Sequence, residues 1–277
     1  MDLIHTIPEL RARLAREQSV AFVPTMGNLH QGHIRLVDIA RRHGQCVVVS
    51  IFVNPLQFAA GGDFDRYPRT LAEDCEKLAA AGTDVVFAPD VEQMYPEPLT
   101  VIVKPPDVAK ELEGEHRPGH FAGMATVVLK LFNMVQPQTA VFGQKDYQQL
   151  AVVRDMVRQL NLPVEIIGAD TVRAPDGLAL SSRNGYLSPA ERNEATRIYR
   201  HLDAMRAAIA SGQRDFAALE SEASSDLAAH GWRVDYVAVR NQRGLTHPDA
   251  ASKALVILVA AWLGTTRLID NIEVDLA

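Results

Sequence analysis

The sequence predicts an α/β fold, with a doubly wound parallel sheet in the N-terminal part of the chain and a smaller α+β domain after it. Up to about residue 167, apolar segments without polar alternation take turns with segments of helical periodicity, as expected of parallel strands covered on both faces. After residue 178, two helical segments precede three strand-like ones, which favours a small antiparallel sheet. We therefore divide the chain into domains 1–177 and 178–277.

The individual elements follow from apolar periodicity and from helix start and stop signals. For the N-terminal domain we predict strands at 20–23, 46–53, 84–88, 100–103, 140–142 and 164–167, and helices at 5–18, 34–43, 71–81, 124–135 and 147–160. For the C-terminal domain we predict helices at 188–210 and 215–230, and strands at 234–239, 255–261 and 268–274. Ser188 followed by Pro189 is a clear helix start, because Ser caps a helix N-terminus and Pro suits its first position.

Composition and charge exclude several classes of protein. The chain has 277 residues and a net charge of -6, so no overall basic field attracts nucleic acid. Its longest apolar stretch, 254–263, is too short to cross a bilayer, and its first residues show no basic segment leading into an apolar run. Cys46 and Cys75 form no C-x-x-C pair and are interpreted as small apolar residues. We expect a cytoplasmic protein that binds neither nucleic acid nor membrane.

The most informative stretch is 23–36, Val-Pro-Thr-Met-Gly-Asn-Leu-His-Gln-Gly-His-Ile-Arg-Leu, which joins the first apolar strand to a helix. His30 and His33 flank Gly32 where that helix should begin. The first N–H groups of a helix lack partners and its dipole is positive there, so this position suits an anion. Spacing alone leaves two interpretations open, a nucleotide-phosphate site or a polar turn. A metal site would need a Cys or carboxylate cluster that this stretch does not have.

Two more polar clusters follow predicted strands. Residues 54–58 come directly after the second strand, and residues 143–146 come after the strand at 140–142. Because open parallel sheets bind ligands beyond the carboxyl ends of their strands, this convergence favours a ligand site. Lys145 could reach phosphate oxygens there as a point charge, although the P-loop pattern is absent and a solvated surface lysine is the alternative.

Other side chains have suitable chemistry but weak individual signals. Residues 181–183, Ser-Ser-Arg, offer two hydroxyls and a guanidinium that binds two phosphate oxygens at once, or else a Ser-Ser turn that caps a loop. Gln57 and Gln149 carry neutral amides that could bind a hydroxy acid or serve only the structure. Asp74 or Glu73 could help to hold Mg²⁺, although carboxylates on a helix surface usually hold no metal.

Together these segments resemble the pantothenate synthetase (pantoate–β-alanine ligase) family. The resemblance rests on six stretches in the expected order: Pro-Thr-Met-Gly-Asn-Leu-His-Gln-Gly-His (24–33), Phe-Val-Asn-Pro-Leu-Gln-Phe (52–58), Tyr-Pro-Arg-Thr (67–70), Arg-Pro-Gly-His-Phe (117–121), Phe-Gly-Gln-Lys-Asp-Tyr-Gln-Gln-Leu (142–150) and Leu-Ser-Ser-Arg-Asn (180–184). The first stretch alone is typical of the broad nucleotidyltransferase superfamily, which includes class I aminoacyl-tRNA synthetases. The full set is specific to one family, although the C-terminal third carries no motif.

The resemblance implies a Rossmann-like N-terminal domain and a reaction in two steps. ATP and (R)-pantoate would give pantoyl adenylate and pyrophosphate, and β-alanine would then displace AMP to give pantothenate (vitamin B5) for coenzyme A synthesis. Both nucleophiles come from substrates, which agrees with the absence of a Ser-His-Asp order. Catalysis would rest on positioning and on electrostatic stabilisation of the phosphates, with Mg²⁺. The family also implies a homodimer and a small domain that closes over the ATP site.

The resemblance also implies which residues bind ATP. His30 and His33 would donate hydrogen bonds to the phosphates, with His33 as the proton donor, and Lys145 and Arg183 would neutralise the β- and γ-phosphates. The ATP site as a whole would comprise Met26, Gly27, Asn28, Leu29, His30, Gln31, Gly32, His33, Gly143, Gln144, Lys145, Asp146, Val172, Leu180, Ser181, Ser182 and Arg183.

The remaining predicted site residues concern the acid, the amine and the metal. Gln57, Gln149 and Asn54 would bind pantoate, and Gln57 would also bind β-alanine. Asp74 is the residue that we predict as a metal ligand.

Two features depart from the family pattern, and two other functions stay open. Gln144 stands where many members have Glu, which is tolerable because the main chain and Lys145 carry the contact. The loop 59–64 is shorter than in some relatives, which concerns the lid over the site.

The first alternative function is an adenylyltransferase that releases a dinucleotide-like product. The second is a catalytically silent nucleotide-binding module with a partner-binding C-terminal domain, against which the intact phosphate-binding side chains argue.

Overall fold

The structure is a computed structural model of the chain, and it describes residues 1–58, 64 and 67–276. The chain divides into two compact units. The N-terminal unit consists of Met1–Gln144 and Val152–Asp170, and the C-terminal unit consists of Lys145–Ala151 and Thr171–Ala277. The predicted loop at 59–64 lies outside the described residues except for Phe64. No helix in the described ranges is both long enough and apolar enough to cross a membrane.

The described residues form nine strands and ten α helices. The strands are β1 (Asp2–Ile4), β2 (Val20–Thr25), β3 (Cys46–Ile51), β4 (Val85–Phe87), β5 (Thr139–Gly143), β6 (Glu165–Ala169), β7 (Trp232–Asn241), β8 (Ala254–Leu263) and β9 (Thr266–Asp275). The helices are α1 (Ile7–Leu14), α2 (Gln31–Ala40), α3 (Leu71–Ala80), α4 (Val91–Met94), α5 (Glu113–His116), α6 (His120–Val135), α7 (Tyr147–Gln159), α8 (Pro189–Glu194), α9 (Arg197–Ala210) and α10 (Phe216–Ala229).

The N-terminal unit is built on a six-stranded parallel sheet in the order β1-β4-β3-β2-β5-β6. From β2 the chain proceeds to β3 and β4 on one side and later to β5 and β6 on the other, so the strand order reverses between β2 and β5. In doubly wound sheets, ligands bind beyond the strand ends at such a reversal. The prediction of a doubly wound parallel sheet is confirmed.

Helices cover both faces of this sheet, which explains why its strands are apolar throughout. Alternate strand residues face opposite sides. On one side, Val23 and Val49 pack in a buried cluster with Val37 of α2 and Leu78 of α3. On the other side, the ring of Phe132 in α6 makes edge contacts with those of Phe22 and Phe142, with centroids 6.3 and 6.4 Å apart.

The C-terminal unit contains a three-stranded antiparallel sheet in the order β7-β8-β9. Its core joins one face of the sheet to two helices, with Leu202 and Ile209 of α9, Leu227 of α10 and Ile257 of β8 all fully buried. The predicted small α+β domain with an antiparallel sheet is therefore present. The unit begins at Thr171 and also takes in Lys145–Ala151, whereas we place the boundary between residues 177 and 178 from the sequence.

Three sequence predictions about individual elements are wrong. The segment 100–103 is not a strand: the N–H of Val103 donates to Thr126 Oγ1 on α6, and no neighbouring strand pairs with it within the described residues. Alternation of residues does not make a strand without a partner.

The helix predicted at 188–210 divides into α8 and α9, since the hydroxyl of Thr196 donates back to the carbonyl of Asn193 and competes with the helical main-chain hydrogen bonds. The short strand β1 is absent from the sequence prediction.

Candidate active site

The stretch predicted to bind phosphate forms the start of helix α2. β2 ends at Thr25, α2 begins at Gln31, and His30 caps the helix with an extended main chain. The Nδ1 atom of His30 accepts the main-chain N–H of Gly32 at 3.1 Å, and Nδ1 of His33 accepts the main-chain N–H of His30 at 3.2 Å. The two histidines thus form a reciprocal capping box, at the spacing that Ser or Thr and Glu use in other helices.

This arrangement determines which nitrogen of each ring carries the proton. Because Nδ1 accepts a hydrogen bond, a neutral imidazole holds its hydrogen on Nε2, and that nitrogen is the donor. The ring centroids of His30 and His33 lie 4.2 Å apart, and both residues are half-buried. Two such donors beside a helix N-terminus suit an anion, since the dipole adds partial positive charge there. The two interpretations of the spacing are therefore compatible: the histidines cap the helix with one nitrogen and supply a donor with the other.

Asp74, on α3, holds the turn that precedes α2. Its side chain is fully buried and accepts the main-chain N–H groups of Asn28 and Leu29, each at 2.8 Å. Thr70 Oγ1 donates to the same carboxylate at 3.0 Å. Gly27 and Asn28 have φ of +82° and +51°, a region that costs energy for a residue other than glycine. The buried carboxylate therefore stabilises a strained turn next to the predicted phosphate site.

These contacts give Asp74 a structural role. Besides the three donors, the ammonium of Lys77 lies 3.9 Å from Oδ1, and it donates to the carbonyl of Leu29 at 2.9 Å. Within the part of the chain that the structure describes, no group of three or more His, Cys, Asp or Glu side chains is placed to hold a metal ion. The Mg²⁺ role of Asp74 stays a prediction, and its hydrogen bonds argue against it.

The amide of Gln57 is oriented by its neighbours at the end of β3. Gln57 closes the short 3-10 helix Pro55–Gln57 and is half-buried. Its Nε2 donates to the sulfur of Met26, a residue of the predicted ATP site, and its Oε1 accepts Nδ2 of Asn54 at 3.2 Å. The structure thus brings together three residues that the sequence assigns to the substrates: Met26, Asn54 and Gln57.

Asn54 is buried and fully hydrogen-bonded within the protein. Its Nδ2 also donates to the carbonyl of Gly123, and its Oδ1 accepts the N–H of Leu56 and, at 2.8 Å, the hydroxyl of Tyr95. Both donors and both acceptor positions of the amide are in use. Asn54 therefore orients Gln57, and its predicted contact with pantoate stays a prediction that these hydrogen bonds do not support.

Helix α6 packs against the same short 3-10 helix, Pro55–Gln57. Gly123 permits a close approach, because a Cβ at this position would lie 2.2 Å from the carbonyl oxygen of Leu56. His120 Nδ1 lies 3.0 Å from the main-chain oxygen of Gln57. Burial raises the pKa of Tyr95, so its hydroxyl remains a donor to Asn54.

In the C-terminal unit, Lys145 lies in the 3-10 turn Gln144–Asp146, directly after Gly143 ends β5. Lys145 and Gln149, the latter on α7, are half-buried, and Asp146 is exposed. The main-chain carbonyl of Lys145 accepts Nδ2 of Asn271 at 2.9 Å. This hydrogen bond holds the main chain of the short turn, so the side chain of Lys145 extends from a fixed position.

The predicted ATP-binding residues 172 and 180–183 come together in one turn of the C-terminal unit. The N–H of Leu180 donates to the carbonyl of Val172 at 2.9 Å. Ser181 Oγ then accepts the N–H of Arg183 at 3.2 Å at the start of the 3-10 helix Ser182–Tyr186. Ser181 therefore acts as a cap, which is the structural interpretation of the Ser-Ser turn, and it fixes the main chain of Arg183. Residues 181–183 are half-buried.

Sequence reasoning misses the residues that hold these site residues in place. They are Asp74 in its structural role, Tyr95, Gly123, Asn271, and Asp270, which pairs with Arg173 and accepts the main-chain N–H of Asn271. Gly123 could have been found, because a glycine inside a strongly apolar helical stretch often marks close contact with another main chain. The other four are single polar residues in elements far along the chain from the groups they bind, and no local pattern indicates their partners.

Comparisons with known proteins show which family the sequence belongs to. Residues 2–273 match the family model described as pantoate-beta-alanine ligase. The chain is 60% identical over 278 residues to a pantothenate synthetase of Thiobacillus denitrificans, covering 100% of this chain and 98% of that protein. It is also 60% identical over 271 residues to a pantothenate synthetase of Nitrosomonas europaea, covering 98% of each.

Solved structures give the same result for the fold. The crystal structure of pantothenate synthetase from Thermus thermophilus matches with a TM-score of 0.94 and 49% identity, over 98% of this chain and 99% of that chain. The pantoate-beta-alanine ligase from Francisella tularensis, complexed with beta-gamma ATP and beta-alanine, matches with a TM-score of 0.84 and 35% identity, over 98% and 97%. With the histidine-capped helix and the turn that carries Lys145, these matches show that the chain belongs to the pantoate–beta-alanine ligase family.

Proposed function

We propose that this protein catalyses the ATP-dependent condensation of (R)-pantoate with β-alanine, giving pantothenate, AMP and pyrophosphate. The observation that carries the proposal is the family match over residues 2–273, which includes every segment of the candidate site. The related ligase from Francisella tularensis was crystallised with a form of ATP and with beta-alanine, which are two of the three substrates proposed.

The reaction requires no nucleophile from the protein. A carboxylate oxygen of pantoate attacks the α-phosphorus of ATP, and the bond from that phosphorus to the oxygen bridging the α- and β-phosphates breaks, so that pyrophosphate leaves with the electron pair. The amine of β-alanine then attacks the acyl carbon of pantoyl adenylate and loses a proton, and AMP leaves. The protein holds the reactants in line and stabilises the negative charge that grows on the phosphates.

In the N-terminal unit, the proposed phosphate contacts come from the start of α2. Nε2 of His30 and of His33 would donate to phosphate oxygens, with His33 as the proton donor. The capping box supports this role, because it orients both rings through Nδ1 before any ligand binds. Residues 26–29, of which Asn28 and Leu29 are held by Asp74, would form the adjoining wall of the ATP site.

In the C-terminal unit, Lys145 and Arg183 would neutralise the β- and γ-phosphates. Arg suits this task because its planar fork binds two oxygens at once, and Lys acts as a point charge. Residues 143–146, 172 and 180–183 would complete the ATP contacts. Gln57 and Gln149 would bind pantoate, and Gln57 would also bind β-alanine.

Mg²⁺ fits this proposal as an ion held mainly by ATP. Mg²⁺ keeps several waters and usually takes only one or two carboxylates together with substrate phosphates, so no cage of protein ligands is required. Bound there, it would neutralise phosphate charge. We also propose, from family membership, a cytoplasmic homodimer that acts on small molecules and supplies coenzyme A synthesis.

The direct test is to supply purified protein with ATP, pantoate and β-alanine and to follow AMP and pantothenate. We expect both products in equal amounts, and no pantothenate when β-alanine is omitted. AMP release without an amide product would contradict the ligase proposal. An adenylyltransferase would instead retain the AMP moiety in its product, and a silent module would bind ATP without turnover.

A further inference from the structure

Strand β9 contacts the segment that carries Lys145 at two points. Nδ2 of Asn271 donates to the carbonyl of Lys145 at 2.9 Å, and the hydroxyl of Tyr147 donates to Oε1 of Glu273 at 2.6 Å. Alternate residues of a strand point to the same side, so Asn271 and Glu273 share one face of β9. Each contact joins residues 126 positions apart, so folding of the C-terminal unit creates both.

Asn271 is itself held by an ion pair. Its N–H donates to Oδ1 of Asp270 at 2.8 Å, and its carbonyl accepts Nη2 of Arg173 at 2.9 Å. Arg173 and Asp270 form a two-point hydrogen-bonded pair at 2.6 and 3.0 Å, with 18% and 5% of their side chains exposed. The guanidinium also lies 4.3 Å from the ring centroid of Tyr199. The main chain at Asn271 is thus fixed from both sides.

The ion pair also interacts electrostatically with Lys145. Burial raises the pKa of Asp270, while the hydrogen bond and charge of Arg173, and the charge of Lys145, lower it. A lysine side chain loses much conformational entropy when it is held in one place. A fixed main chain reduces the entropy that is still lost when the side chain binds a ligand. A polar side chain that holds the lysine's carbonyl is therefore placed to affect phosphate contacts that the lysine makes.

We propose, on the basis of the function proposed above, that Asn271 is a positioning residue for Lys145: its hydrogen bond to the Lys145 carbonyl directs the ammonium toward the phosphates of ATP. Tyr147 and Glu273 hold the following residues of the same segment. Arg173 and Asp270 keep Asn271 in place. The contribution belongs to adenylate formation, because pyrophosphate leaves in that step and is absent from the attack by β-alanine.

The test measures the two chemical steps separately. Adenylation is followed as pantoate-dependent exchange of pyrophosphate into ATP, and aminolysis is followed by supplying synthetic pantoyl adenylate with β-alanine. We expect Asn271→Ala to slow adenylation by about tenfold to a hundredfold, the range that a small displacement of a catalytic group produces. Aminolysis should remain within about twofold of the unsubstituted protein. Equal losses in both steps would overturn the proposal, since a merely structural defect affects both.

Two further variants keep the test decisive if Asn271→Ala folds poorly. Tyr147→Phe removes one hydroxyl, and we expect the same selective loss of adenylation, smaller than that of Asn271→Ala. Glu273→Gln retains an oxygen that accepts the Tyr147 hydroxyl, so it should keep nearly full adenylation. As a matched control, Asn241→Ala removes a side-chain amide of β7 that donates to Thr246 and His247, and neither step should change. Normal adenylation in a folded Asn271→Ala would refute the proposal, and normal adenylation in Tyr147→Phe would do so if Asn271→Ala does not fold.

Lys145→Ala separates this inference from the function on which it rests. If Lys145→Ala loses adenylation while Asn271→Ala retains it, the lysine role stands and the positioning role of Asn271 is wrong. If Lys145→Ala itself retains adenylation, the proposed role of the lysine is wrong, and the positioning role falls with it.

Discussion

The two units hold their predicted phosphate-binding residues by different means. In the N-terminal unit, the fixing group is an acceptor: the carboxylate of Asp74 takes the N–H groups of Asn28 and Leu29 just before α2. In the C-terminal unit, the fixing group is a donor: the amide of Asn271 gives a hydrogen bond to the carbonyl of Lys145. Each fixing group suits the turn that it binds. The turn before α2 exposes main-chain N–H groups, which need an acceptor, and the turn after β5 exposes a carbonyl, which needs a donor.

This difference has an energetic consequence. Asp74 is a buried carboxylate whose partners are mostly neutral donors, with one ammonium 3.9 Å away. Asp270, which supports Asn271, is paired directly with a guanidinium. Removing the charge of Asp74 weakens hydrogen bonds, whereas removing the charge of Asp270 also leaves a largely buried cation without its partner. We therefore expect the two units to respond unequally to the same chemical change.

The largest expected effect comes from the side chains that we predict to bind phosphate, one in each unit. Lys145→Ala and His33→Ala should each lower kcat/KM by about a hundredfold to a thousandfold, or ~3–4 kcal/mol of transition-state stabilisation. Only His33→Ala should also lower the free energy of unfolding, by ~1 kcal/mol, because it removes half of a capping box. Steady-state kinetics and urea unfolding measure the two quantities. Lys110→Ala, on the exposed surface, is the control for loss of a lysine.

The second prediction concerns the ion pair of the C-terminal unit. Asp270→Asn should lower the free energy of unfolding by ~3 kcal/mol, the lower end for a broken buried pair, because Arg173 keeps some exposure to solvent. Urea unfolding measures the loss. Replacing Asp203, an exposed residue paired with Arg206, by Asn should change stability little and serves as the control. Equal stability of the two variants would contradict the assignment of Asp270 as a structural support.

The third prediction makes the same change in the N-terminal unit. Asp74→Asn should lower the free energy of unfolding by ~2 kcal/mol. Both carboxylate oxygens of Asp74 accept hydrogen bonds, so the NH₂ group of the substituted amide would face a donor in place of one of them. It should also raise KM for ATP, since the turn adjoins α2. Calorimetry and initial rates measure both. A loss greater than that of Asp270→Asn would reverse the comparison between the units.

The smallest expected effect tests the support of Gln57. Tyr95→Phe removes the hydroxyl that donates to Asn54 and should raise KM for pantoate by about fivefold, or ~1 kcal/mol, with KM for ATP unchanged. Because burial raises the pKa of Tyr95, the hydroxyl stays protonated and the effect should not vary between about pH 6 and 9. Tyr186→Phe, at an exposed position, is the control. A change in KM for ATP alone would assign Tyr95 to the other substrate.

Features that depend on neighbouring residues could be predicted from the amino-acid sequence. Five of the six parallel strands of the N-terminal unit, all except β1, follow from short apolar runs, and the start of α2 follows from the turn that carries His30 and His33. The position of Lys145, directly after a buried strand where parallel sheets bind ligands, was predictable, and its contact with phosphate stays a prediction. Local pattern failed where a partner was needed, as at 100–103, where alternating residues find no strand to pair with among the described residues.

The contacts that hold the predicted site residues in place become visible only in the folded protein. Asp74 reaches Leu29 across 45 positions of the chain, and Asn271 reaches Lys145 across 126. The identity of a buried Asp or Asn shows that it needs hydrogen-bond partners but does not name them, because any nearby main chain can satisfy it. Packing of the strands and helices brings one particular turn to each of these side chains. Short sequence motifs thus supply the side chains of the candidate site, and residues far along the chain hold those side chains in place.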